Sequence, residues 1–116
     1  MIILSRMTPI SIDINADLGE GAGQDDVIMP LISSCNIACG GHVGDAQSIH
    51  ETMQLAKQNN VKVGAHPSYP DRENFGRVNM EISLLELEES IKSQLSLFYE
   101  LAEQNGQSVN HIKAHG

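Results

Sequence analysis

Residues 109–116 read VNHIKAHG. If this stretch is a β-strand, alternation puts His111, Lys113 and His115 on one face and Ile112 and Ala114 on the other. A basic, titratable face with an apolar back is unusual for a core strand. The same two-faced pattern recurs upstream. In PISIDINAD (residues 9–17), Ile10, Ile12 and Ile14 oppose Ser11, Asp13, Asn15 and Asp17. In SSCNIACGG (residues 33–41), Cys35, Ile37 and Cys39 oppose Asn36 and Ala38. In VKVGAH (residues 61–66), Val61, Val63 and Ala65 oppose Lys62, Gly64 and His66.

Helical signals separate these strands. DDVIMPLI (residues 25–32) predicts a short helix or turn limited by Pro30. Asp45 is a candidate N-cap for a helix over 46–59 that buries Ile49, Met53 and Ala56. After the loop PSYPDRENFGR (residues 67–77), Ser83 and Glu86 have capping-box spacing, and Gly106 marks the far end of the longest helix. Leu84, Leu87, Ile91, Leu95, Phe98 and Ala102 form its inner stripe, with Glu88, Glu89, Glu100 and Glu103 on the solvated side.

Strands alternating with helices predict an α/β fold with parallel strands and right-handed crossovers. An open sheet covered on both sides would want apolar residues on both faces. A barrel is apolar outside, under its helices, and tolerates polar groups inside near the C-terminal rim. The expectation is therefore a parallel (β/α) barrel-like fold, here its first four strands, as a single domain over 10–116. Residues 1–9, MIILSRMTP, read as an N-terminal extension, too short an apolar run for a signal peptide.

Composition narrows the partners. A net charge of -8 and 3% aromatic residues argue against nucleic acid and anionic membranes. No stretch approaches about 20 apolar residues, which predicts a soluble protein. Cys35 and Cys39 are too few for a disulfide framework and fall on the apolar face as small buried hydrophobes, in keeping with a reducing cytoplasm.

Active sites of barrels lie at the C-terminal strand ends. Those ends bring Asp17, His42, His66, Lys113 and His115 to one rim from four segments, the candidate catalytic group. Lys113 is costly to bury unpaired, and Asp17 is its expected partner. Asp17, His42 and His66 offer the mixed nitrogen and oxygen ligands that suit a divalent metal. Asn15, Glu20, Asn36, Asp45, Arg72 and Arg77 are candidate substrate-binding residues. The two arginines suit a carboxylate or phosphate, solvated loop charge being the other reading. His50 is expected at the surface and His111 in a structural role. GEGAG (residues 19–23) lacks the Lys-Ser/Thr of a phosphate loop and predicts a tight turn with exposed backbone N–H groups.

Four ordered motifs, DINADLGEG (13–21), NIACGGHVGDA (36–46), GAHPSYPDRENFGR (64–77) and HIKAHG (111–116), together resemble the LamB/YcsF family. The resemblance implies a barrel-like fold related to the glycoside hydrolase/deacetylase superfamily. It also implies a cytoplasmic enzyme that, with partner subunits B and C, uses ATP to hydrolyse the 5-oxoproline (pyroglutamate) lactam to L-glutamate. Asp17 or a histidine would then act as base, with Lys113 and the glycine-rich backbone facing the oxyanion. Two readings stand beside it: a stand-alone metal-dependent amidohydrolase or deacetylase, and a non-catalytic ligand-binding component. Because family members continue past HG, the chain is expected to be an N-terminal part. Alone it would be inactive and inclined to associate with another copy through exposed strand edges.

Overall fold

Four parallel strands alternate with helices along residues 10–116, the part of the chain that the computed structural model describes. The expected extension, residues 1–9, lies outside the described residues. The order is β1 (Asn15–Leu18), α1 (Asp25–Ile28, continued by a 3-10 turn over Met29–Leu31), β2 (Ser34–Ala38), α2 (Ala46–Gln58), β3 (Lys62–His66), α3 (Leu84–Gln104) and β4 (Val109–Ile112). The strands lie side by side in chain order. The α/β expectation with parallel strands is met.

Register puts the two faces into rows. Leu18, Ile37, Ala65 and Ile112 are cross-strand neighbours on one face; Asp17, Asn36, Gly64 and His111 form the corresponding row on the other. The apolar face packs against α2 and α3. Cys35, Ile37, Val63 and Ala65 meet Ile49, Met53, Ala56, Phe98 and Ala102 in one buried cluster. Burial pushes the Cys35 thiol up to about 12 and the Cys39 thiol up to about 11, so both stay protonated hydrophobes.

Both long helices start as their capping residues predict. Asp45 accepts from the Ser48 N–H at 2.8 Å and Ser48 Oγ accepts from the Asp45 N–H at 2.8 Å, a two-way box. Ser83 Oγ accepts from the Glu86 N–H at 3.1 Å. The stripe of α3 differs from expectation at its start: Leu84 is 86% exposed. Gln94 and Leu101 join Phe98 and Ala102 as its buried residues.

The ends of the sheet also differ. Alternation predicts a first strand from Ile10, but β1 begins at Asn15, and Ile10 and Ile12 are 99% and 78% exposed. Alternation alone does not suffice because β2 offers ladder partners only from Ser34, opposite Asn15. At the other end β4 carries one extra residue, Asn110, between the pairs Val63–Val109 and Gly64–His111. This bulge lets Val109 pack on the core while His111 faces the polar side. Beyond β4 the pairing continues, with Lys113 N–H donating to Ala65 C=O at 2.9 Å and His115 N–H to Pro67 C=O at 3.0 Å. Ile112, expected under a helix, is 52% exposed. Among the described residues no helix is long and apolar enough to cross a membrane.

Candidate active site

The polar face carries two connected networks. The first is a relay across all four strands. Asn110 Nδ2 donates to His111 Nδ1 at 2.9 Å, so His111 Nε2–H donates to Asn36 Oδ1 at 2.5 Å. Asn36 Nδ2 in turn donates to Asp17 Oδ1 at 2.8 Å and Asn15 Oδ1 at 2.6 Å. Gly64 makes this possible, because a Cβ there would lie 2.2 Å from His111 Nε2. The absent side chain lets the imidazole cross β3 and reach β2.

Lys113 Nζ completes the arrangement 3.0 Å from Asp17 Oδ1, the pairing expected from sequence. Burial pushes the Asp17 carboxyl up, but hydrogen bonds from Asn36 and Lys113, with the charges of His66 and Lys113, outweigh it. The Asp17 pKa lies below its ordinary value, and the group is a carboxylate at neutral pH.

The second network is a cluster of imidazoles. His42 and His115 stack with ring centroids 3.7 Å apart and planes 6° apart; His66 meets both edge-on. His42 Nε2 lies 2.6 Å from Glu20 Oε2, and His66 Nε2 lies 3.5 Å from Asp17 Oδ2. Burial holds the His42 pKa below the ordinary histidine value, the Glu20 contact opposing it and the neighbouring His115 and His66 reinforcing it. One donor atom each from Glu20, His42, His66 and His115 lies within 4.8 Å of the others, a spacing able to hold a metal ion. This set takes in Glu20 and His115 and leaves Asp17, expected as a ligand, tied to Lys113 and Asn36.

Loop 67–83 shields the cluster. The Phe75 ring packs edge-on against His42 and His115, and its carbonyl accepts from His115 Nε2 at 2.7 Å. Gly76, at φ +66°, would place a Cβ 3.1 Å from His42 Cβ and 3.2 Å from His115 Cδ2. Arg77 lies over the Phe75 ring at 5.0 Å. With Tyr69, Met80 and His115 it lines a cleft of about 520 Å³.

Asp17, Glu20, Asn36, His42, His66, Lys113 and His115 are therefore brought together, with Asn15 at the far end of the relay. Asp45 instead caps α2, and Arg72 donates to the Gly44 carbonyl on a separate cleft that both residues line. His50 is exposed, as expected. Two contributors escape a reading by charge. Ser68 Oγ meets His42 Nδ1 at 3.0 Å. The Gln94 amide accepts from the Ser68 N–H at 3.0 Å and donates to its carbonyl at 2.8 Å. The available signal for Gln94 was its position on the buried stripe between Ile91 and Phe98.

A parallel α/β sheet with a histidine–carboxylate centre on its polar face, at the C-terminal strand ends, defines the class of this protein. The LamB/YcsF family profile matches residues 12–116, and the chain belongs to that family. It is a homologue of the A subunit of 5-oxoprolinase. It is 44% identical over 105 residues to that protein from Neisseria meningitidis serogroup C (strain 053442), covering 90% of this chain and 43% of the relative. The match to the 5-oxoprolinase A subunit of Histophilus somni (strain 129Pt) is also 44%, covering 90% and 42%. The crystal structure of the lactam utilization protein from Thermus thermophilus superposes with a TM-score of 0.86 at 39% identity, covering 92% of this chain and 45% of that one. The chain thus spans less than half the length of the relatives it matches.

Proposed function

We propose that the chain is part of the A subunit of an ATP-dependent 5-oxoprolinase that, with partner subunits B and C, opens the 5-oxoproline lactam to L-glutamate. The observation that carries this reading is the 44% identity to the A subunit of 5-oxoprolinase over 90% of the chain. Asp17, Glu20, His42, His66, Lys113 and His115 all fall inside the family match, residues 12–116.

Residues 10–116 are read as the first four strands of one parallel (β/α) barrel-like domain of the glycoside hydrolase/deacetylase type. The confinement of polar residues to one face of the sheet supports this, as does the 45% coverage of the Thermus thermophilus chain. The outer edges of β1 and β4 are then where further strands, or another copy, would pair. Two free cysteines fit a cytoplasmic setting.

Lactam hydrolysis breaks the ring C–N bond, adds the water oxygen to the carbonyl carbon and leaves an amine and a carboxylate. Asp17, held ionised, is the group we assign to take the proton from the attacking water. Asp17 then hands that proton to the leaving nitrogen. Lys113, 53% exposed on its side chain and anchored by Asp17, faces negative charge developing on the carbonyl oxygen. Arg77, on the cleft beside His115, is suited to the substrate carboxylate. ATP, a co-substrate of the assembled complex, supplies activation of an otherwise resonance-stabilised amide. The test is ATP-dependent hydrolysis of 5-oxoproline by the protein combined with subunits B and C. Loss of turnover in Asp17→Ala and Lys113→Ala supports the assignment; full turnover in either overturns it.

A further inference from the structure

We propose that Glu20, His42, His66 and His115 hold one divalent transition-metal ion, through His42 Nε2, His66 Nε2, His115 Nδ1 and the Glu20 carboxylate, with Asp17 outside the ligand set. This goes beyond the lactam reading and does not depend on it.

The hydrogen bonds behind each ring fix which nitrogen faces the centre. Ser68 Oγ–H donates to the Tyr69 carbonyl at 3.0 Å, so Ser68 Oγ accepts from His42 Nδ1–H and the lone pair sits on His42 Nε2. The Lys113 carbonyl, which can only accept, takes the His66 Nδ1–H at 2.7 Å and leaves the lone pair on His66 Nε2. The Phe75 carbonyl does the same for His115 Nε2–H and leaves the lone pair on His115 Nδ1. Three imidazoles therefore donate outward to oxygen and each keeps one bare nitrogen. Outward donation of this kind fixes the tautomer and raises the basicity of metal-bound histidines.

A second observation points to a cation independently. His66 is 1% exposed, and its Nε2 is a buried polar atom without a hydrogen-bond partner, aimed into the cluster. His42 Nε2 and Glu20 Oε2 lie 2.6 Å apart, so a proton or a metal ion stands between these two acceptors. A set of three imidazoles and one carboxylate matches zinc and its neighbours rather than magnesium or calcium, which prefer all-oxygen ligands. Asp17 binds Lys113 and Asn36 through Oδ1 and stands outside the four-residue group, its Oδ2 3.5 Å from His66 Nε2 and available to a proton.

The probe is Co²⁺, titrated into the full chain purified in metal-free buffer, without substrate, ATP or partner subunits. Far-UV circular dichroism establishes that each sample is folded. The expected result is about one Co²⁺ per chain, with visible absorption bands of a low-coordinate, nitrogen-rich site. Asp17→Asn keeps the stoichiometry and the bands. Ser68→Ala, which removes a support but no ligand, keeps the stoichiometry and weakens affinity about 10–100-fold. His66→Gln and His115→Gln lose the bands. Folded wild-type chain that shows only the spectrum of hydrated Co²⁺ overturns the proposal, as does unchanged binding in both histidine variants. Because binding is read without turnover, a failure of the lactam assay leaves this result standing.

Discussion

Lys113 and Asp17 meet at 3.0 Å although β1, which holds Asp17, and β4, which Lys113 follows, are the two outer strands of the sheet. Strands about 4.8 Å apart put the two backbones about 14 Å from one another in a flat sheet. The contact therefore bridges β2 and β3 across the polar face. The pair has little worth as a stability element, since both side chains are substantially exposed. Its consequence is positional: it orders the ammonium beside the carboxylate.

Asp17→Asn and Lys113→Met are accordingly expected to leave the fold intact. Under the proposed function, each is expected to lower 5-oxoproline turnover by about 100-fold or more when the chain is assayed with subunits B and C. Steady-state kinetics beside thermal melting of the isolated variants reads both effects.

The depressed pKa of Asp17 sets a sign for the pH dependence of stability. A carboxyl whose pKa is lower folded than unfolded stabilises the fold above the unfolded value. That contribution is lost as pH falls through the folded value. The melting-temperature difference between wild type and Asp17→Asn should be flat from pH 7 to about 5 and shrink towards zero in more acid buffer. A difference that grows on acidification contradicts the assignment.

Gly64→Ala places a methyl group where the His111 ring lies, 2.2 Å from Nε2. The ring must leave, the relay to Asn36 and Asp17 breaks, and the expected loss is about 1–3 kcal/mol. Removing the ring as well, in Gly64→Ala with His111→Ala, should recover part of that loss. Urea denaturation of the two single variants and the double variant measures the coupling.

Gln94→Leu leaves the Ser68 N–H and carbonyl without the amide that pairs both. The expected cost is about 1–3 kcal/mol for buried unsatisfied groups. Ser68 loses its anchor, so affinity for Co²⁺ should fall alongside stability.

Cys35 and Cys39, buried with thiols raised to about 12 and about 11, should resist a thiol-specific disulfide reagent in the folded chain. Both should react promptly in denaturant. A fast native reaction at either position would contradict its burial.

Much of this arrangement is legible in residue order. Alternation at Cys35–Cys39 and Val61–His66 identifies both central strands, because they are paired on either side and their faces have different chemistry. Lys113 as partner of Asp17 follows from the cost of an unpaired inward lysine. The outer strands are harder. Ile10 and Ile12 alternate like a strand but lie exposed ahead of a ladder that begins at Asn15, and the Asn110 bulge has no local signature. Glu20 reads as a substrate contact in sequence because a glycine-rich turn does not reveal where its one acid points. Ser68 and Gln94 carry no charge, and their roles depend on a loop and a helix meeting 26 residues apart. Asp45 and Arg72 fall outside the site because a motif residue at a strand end can serve the turn itself, one as a helix cap and the other as a donor to Gly44.

The bond between Lys113 and Asp17 spans 96 positions of chain, and His66 is oriented by the Lys113 carbonyl over 47. Neither contact exists until β4 has docked on β3, a long-range closure that carries a loop-closure entropy cost. Occupancy of the centre and docking of β4 are then linked equilibria, and a ligand held there stabilises the docked strand by mass action. The amide protons of His111 and Ile112 become its reporters: their exchange with solvent should slow when the centre is filled and quicken when it is emptied.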